Sequence, residues 1–167
     1  MGCTFGFVAV SPSVAAAELL KALGTIGVKS LGPVECSVPY IKAKSNEAWF
    51  LQAAGWSLLA CPYNAGILAG NDAARLVALL PQVEELRYFA QADTNAELLA
   101  QIFECSELVL HHSEHEGIID TAKITGTLAP KDNYDQTDKE AFFASLLPIE
   151  LGEPIIMEHF QITWPEA

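Results

Sequence analysis

The sequence predicts an α+β fold, with a mainly antiparallel sheet of about five or six strands and three or four helices packed on it. The chain has 167 residues, of which 51% are hydrophobic and 18% charged, enough to form a real core and too apolar for intrinsic disorder. Short β-prone runs follow one another too closely for parallel returns, which require a dozen or more residues. Because no repeat or linker divides the sequence, we expect residues 1–167 to form a single domain.

The N-terminal residues predict a strand followed by a helix. Thr4 to Val10 reads TFGFVAV, whose alternation and aromatic and β-branched content favour a strand. The Ser11-Pro12-Ser13 sequence then predicts a helix cap, and Gly24 is placed to end that helix in the left-handed conformation.

The middle of the chain predicts three further strands and a second helix. We expect a short strand at 38–43 and two buried strands at Ala48 to Ala53 and Gly55 to Cys61. Asn71-Asp72 should cap the second helix, with Leu76, Leu79 and Leu80 on its buried face.

A three-stranded antiparallel meander is predicted next, over Glu84 to Ala92, Glu97 to Glu104 and Glu107 to His112. A polar loop should follow it. The Thr137 to Glu140 sequence has the form of a capping box and predicts a helix that ends at Pro148. A shorter helix is predicted from Pro154, a residue suited to the first helical position, to Phe160.

Negative charge is concentrated in the second half of the chain. Residues 1–83 carry four carboxylates and five Lys or Arg (net +1), whereas residues 84–167 carry seventeen and four (net −13). This excess disfavours nucleic acid, whose phosphates require clustered cations. It favours a basic protein partner, which would be attracted to an acidic surface.

We therefore interpret the chain as a binding protein that is not an enzyme and needs no cofactor. The residues predicted to meet the basic partner lie in the meander and the following loop. They are Glu104, Glu107, Glu114, Glu116, Asp132 and Asp135.

A metal-assisted hydrolase is the alternative from a different class, since residues 111–116 read HHSEHE. On an extended strand His111 and His115 share one face, and His112 shares the other with Glu114 and Glu116. Each face therefore offers half of a metal site. No metalloprotease, nucleophile-elbow or phosphate-loop motif accompanies them.

A third alternative is a homo-oligomeric domain that binds a small ligand, because the mean hydropathy of +0.25 is high for a purely electrostatic binder. A homodimer is consistent with that composition.

No apolar run approaches the roughly 20 residues of a membrane span. Four widely spaced cysteines and the absence of a signal peptide pattern at the N-terminus predict a cytoplasmic protein with free thiols.

Three segments together resemble a known class of proteins. They are TFGFVAV with the helix ending at Leu23-Gly24, the sequence Gly55-Trp56-Ser57-Leu58-Leu59, and AQIFECSELVLHHSEHEG at 100–117. This pattern, over residues 4–120, resembles small acidic bacterial α/β proteins predicted to be immunity proteins of polymorphic toxin systems. The resemblance implies a cytoplasmic protein that binds and blocks a cognate toxin, and it assigns no functional residue.

Overall fold

A computed structural model describes residues 4–27, 29–33, 47–61, 72–92, 97–115, 118–123, 145–149 and 158–163. Within these ranges the chain forms two helices and one nine-stranded sheet. The helices are α1 (Ala16–Thr25) and α2 (Asp72–Leu79). The strands are β1 (Thr4–Ser11), β2 (Lys29–Pro33), β3 (Glu47–Ala53), β4 (Trp56–Cys61), β5 (Glu85–Ala92), β6 (Glu97–Glu104), β7 (Glu107–His115), β8 (Ile118–Lys123) and β9 (Glu158–Thr163).

The sheet has the strand order β2-β9-β3-β4-β1-β5-β6-β7-β8, and every pairing is antiparallel. This confirms the predicted α+β class and the antiparallel meander, which is β5, β6 and β7. The outer strands are β2 and β8. The pairing of β2 with β9 shifts register between Ser30 and Gly32, and that of β7 with β8 shifts between His111 and His112.

Both faces of the sheet bury apolar side chains. Strand β1 lies at the centre of the sheet, and its side chains point alternately into the two cores. Val8 and Val10 join the core formed with α1 and α2, which we call the helical face. Phe7 and Ala9 join the core on the opposite side, which we call the second face. On the second face Leu146 is fully buried and Ile149 nearly so. The 145–149 segment therefore covers part of this face.

The start of α1 differs from the prediction. Ala15, and not a serine of the Ser11-Pro12-Ser13 sequence, occupies the cap position, and its side chain makes no capping hydrogen bond. Gly24 lies inside the helix, which continues to Thr25, and the chain turns instead at Gly27, whose φ is +105°. The predicted left-handed glycine is thus three residues later than expected.

Helix α2 buries a different set of side chains from the one predicted. Ala73, Leu76, Val77 and Leu80 are buried, following the i, i+3, i+4, i+7 spacing of one helix face. Leu79 is 40% exposed, so its inclusion in the buried face was wrong.

The numbers of strands and helices also differ from the prediction, since the described residues contain nine strands and two complete helices, besides the helical residues Ser145 and Leu146. The helix predicted from Pro154 to Phe160 is wrong at its end, because residues 158–160 belong to β9. Residues 158–160 instead pair with β2 and β3, and residues 154–157 lie outside the described ranges. Ser145 and Leu146 are helical, as the capping box predicts, but residues 137–144 lie outside the described ranges, as does the strand predicted at 38–43.

The helices of the described part are all too short or too polar to cross a membrane.

Candidate binding site

Two of the predicted binding residues meet at the turn between β6 and β7. Glu104 and Glu107 are directly opposite each other, and both are exposed. The residues between them, Cys105 and Ser106, have φ values of 48° and 68°. Two consecutive residues with positive φ form the tight turn whose twist suits a β-hairpin. The turn therefore brings two carboxylates together at one end of the sheet.

Glu85 extends this pair to a third strand. The register of β5 and β6 places Glu85 directly opposite Glu104. Cross-strand partners lie on the same face of a sheet, with Cβ atoms about 4.5–5.5 Å apart. We call Glu85, Glu104 and Glu107 the acidic row. It runs across three adjacent strands on the second face.

Backbone hydrogen bonds hold this end of the sheet in place. The Cys105 N–H donates to the Glu84 carbonyl at 2.7 Å, and the Glu84 N–H donates to the Ser11 carbonyl at 2.8 Å. The hairpin turn is thus tied through β5 to β1. Glu84, which precedes Glu85 in the sequence, is itself exposed.

One cation contacts the acidic row within the described ranges. Arg87 Nε lies 2.7 Å from Glu85 Oε1, and both side chains are about a quarter exposed. In this part of the chain neither Glu104 nor Glu107 forms a salt bridge. Three carboxylates against one guanidinium leave the row with a net negative charge, and a partner can reach the exposed residues Glu104 and Glu107.

Glu114 lies apart from the acidic row. It is seven residues along β7 from Glu107, a separation of about 23 Å at the usual rise of a strand. Its Oε1 is 3.1 Å from Nε2 of His112, which is only 3% exposed. Glu116, Asp132 and Asp135 lie outside the described residues. Of the six predicted acidic residues, the structure therefore brings together Glu104 and Glu107.

The histidines predicted as metal ligands are divided between the two faces. His112 lies on the second face with Glu114, as the alternation predicts. His111 lies on the helical face, where Gln101 Nε2 donates a hydrogen bond to His111 Nδ1 at 3.1 Å. His111 and His112 therefore cannot share one ion. The side chain of His115 is outside the described part, in which no three His, Cys, Asp or Glu residues converge as metal ligands.

Ser57 has a structural role that explains its position in an apolar strand. Its hydroxyl is fully buried, accepts a hydrogen bond from the Val14 N–H at 2.9 Å and donates to the Val14 carbonyl at 2.6 Å. Gln52 Nε2 donates to the same carbonyl at 2.7 Å. The two side chains fix Val14, the residue that leads into the N-cap of α1.

The sequence interpretation missed the contributions of Glu85 and Arg87 to the site. Glu84 and Glu85 stand out as adjacent carboxylates, but a run of charges is usually a solvated surface. The register that places Glu85 opposite Glu104 depends on pairing across residues 93–96. The sequence carried a signal only for Glu104 and Glu107, because the two-residue turn at Cys105 and Ser106 fixes their pairing.

Comparisons of this chain with protein-family models, with curated proteins and with solved structures gave no match.

Proposed function

We propose that this protein is a cytoplasmic, non-enzymatic binding protein that takes a basic protein partner on the acidic row. The observation that carries the proposal is the alignment of Glu85, Glu104 and Glu107 across three neighbouring strands. Like charges directly opposite each other in a sheet are destabilising. A partner that supplies cations would relieve this repulsion on binding.

The overall charge supports the same proposal. A net charge of −12 attracts a basic protein over a distance near the Debye length, about 8 Å at physiological salt. Such a field mainly raises the rate of association and selects partners by charge. The resemblance to immunity proteins adds a class of partner, a basic toxin that the row would block.

Matched charge reversals test the location of the site. E104K changes the row, whereas E18K makes the same change of charge on the exposed surface of α1. We expect E104K to weaken binding of fluorescent decalysine, measured by anisotropy, about five-fold or more, and E18K to have a much smaller effect. Binding by the unsubstituted protein should weaken as NaCl is raised.

A second measurement addresses the natural partner. The protein encoded directly upstream of this chain is the first candidate, because a toxin and its immunity protein are expected to be neighbours. Its affinity for the wild-type chain, for E104K and for E18K should follow the order seen with decalysine. Equal effects of the two reversals, or binding that is indifferent to salt, would contradict the proposal.

A further inference from the structure

Arg87 connects the acidic row to the segment that covers the second face. Its Nε contacts Glu85 Oε1 at 2.7 Å, and its Nη1 donates to the Leu146 carbonyl at 3.2 Å. Its guanidinium carbon lies 5.0 Å from the centre of the Trp56 ring, within the range of a cation–π contact. One side chain thus binds a carboxylate of the row and the backbone of the 145–149 segment at once.

The two hydrogen bonds of Arg87 depend on each other because a guanidinium is planar and presents its donors at fixed angles. The contact with Glu85 sets the plane in which Nη1 reaches Leu146. A second cation near Glu85 would repel Arg87 and compete for the same carboxylate. Arg87 would then lose its alignment with the Leu146 carbonyl.

We propose that Arg87 couples the acidic row to the 145–149 segment, so that a cationic partner engaging Glu85 loosens this segment from the second face. The inference rests on the function proposed above and adds a form of regulation to the same site. Coupling is reciprocal, so release of the segment should in turn favour binding of the cation. Arg87 is then an internal competitor that the partner displaces.

Hydrogen exchange of the full-length chain, followed by mass spectrometry over residues 145–149, tests the connection without any partner. E85Q removes the charge that holds Arg87, and we expect it to speed exchange in this segment about two- to five-fold, the range of a partly exposed ion pair. E104Q is the matched control, because it removes a charge from the same row but contacts no cation in the described structure. Its exchange over 145–149 should not be faster than that of the wild type.

The same measurement with saturating decalysine tests the coupling. Exchange over 145–149 should rise in the wild type and show no further rise in E85Q. R87K provides an independent variant, since an ammonium can still pair with Glu85 but lacks the planar fork that reaches Leu146. It should speed exchange over 145–149 and show no further rise when decalysine is bound.

Two results would overturn the inference: equal exchange over 145–149 in E85Q and E104Q, or unchanged exchange in the wild type with decalysine bound. Failure of decalysine to bind the wild type at low salt is a different outcome. It would refute the proposed function, and with it the regulation by a partner, while the comparison of E85Q with E104Q would still decide whether Glu85 holds the segment through Arg87.

Discussion

Replacing Glu104 by Gln should stabilise the protein, because Glu104 has a carboxylate directly opposite it on each side. Two unit charges about 6 Å apart in water repel each other by about 0.7 kcal/mol. Glu107 exerts this repulsion in full, whereas that of Glu85 is partly cancelled by Arg87. At about 10 mM salt, where the Debye length is roughly 30 Å, we expect E104Q to raise the free energy of unfolding by about 0.5–1 kcal/mol.

The assay is urea unfolding of both chains at low and at high salt. At 1 M NaCl the Debye length falls to roughly 3 Å, so the increase in the free energy of unfolding caused by E104Q should shrink to about 0.1 kcal/mol. A stabilisation that persists at 1 M NaCl would show that the effect is not electrostatic. A loss of stability at low salt would refute the inferred repulsion.

E18Q supplies a control with the opposite sign. Glu18 is an exposed carboxylate in the first turn of α1, where it interacts favourably with the positive end of the helix dipole. We expect E18Q to lower the free energy of unfolding by about 0.3–1 kcal/mol at low salt. General relief of the net negative charge would stabilise both variants alike. The contrast between them isolates the acidic row.

Two further predictions concern the scaffold. Ser57→Ala should lower the free energy of unfolding by about 2 kcal/mol, because the buried Val14 N–H loses its acceptor. Thermal unfolding should show a decrease in Tm of about 4–8 °C, and a decrease below about 1 °C would contradict the role assigned to the hydroxyl. Ser106→Gly should raise the free energy of unfolding by about 0.5–1 kcal/mol, since φ at this position is 68°. Urea unfolding measures this change, and a destabilised variant would contradict the turn geometry.

Local signals were sufficient to predict the meander. The loops around β5, β6 and β7 are too short for any but antiparallel connections, and the strands lie where alternation and turn residues place them. The same is true of β1, β3 and β4. Their apolar runs, aromatic and aliphatic, suit strands buried on both faces.

Contacts between residues distant in sequence were beyond the reach of local patterns. The residue before the N-cap of α1 is held by Ser57, 43 residues from Val14, and no pattern near Ser11 reveals this contact. In the same way residues 158–160, predicted to be helical, form part of β9 because they pair with the distant strands β2 and β3. The candidate site was half predicted: Glu104 and Glu107 follow from one turn, whereas Glu85 and Arg87 require the register of β5.

The composition of β2 and β8 bears on how copies of this chain behave at high concentration. An outer strand with regular geometry is a template for adding strands from other molecules. Here β2 contains Lys29, Gly32 and Pro33, and β8 contains Asp120 and Lys123. Both are short, and the pairing of each includes a register shift. Charge, proline and local irregularity at these two strands therefore oppose edge-to-edge aggregation of a sheet rich in apolar residues.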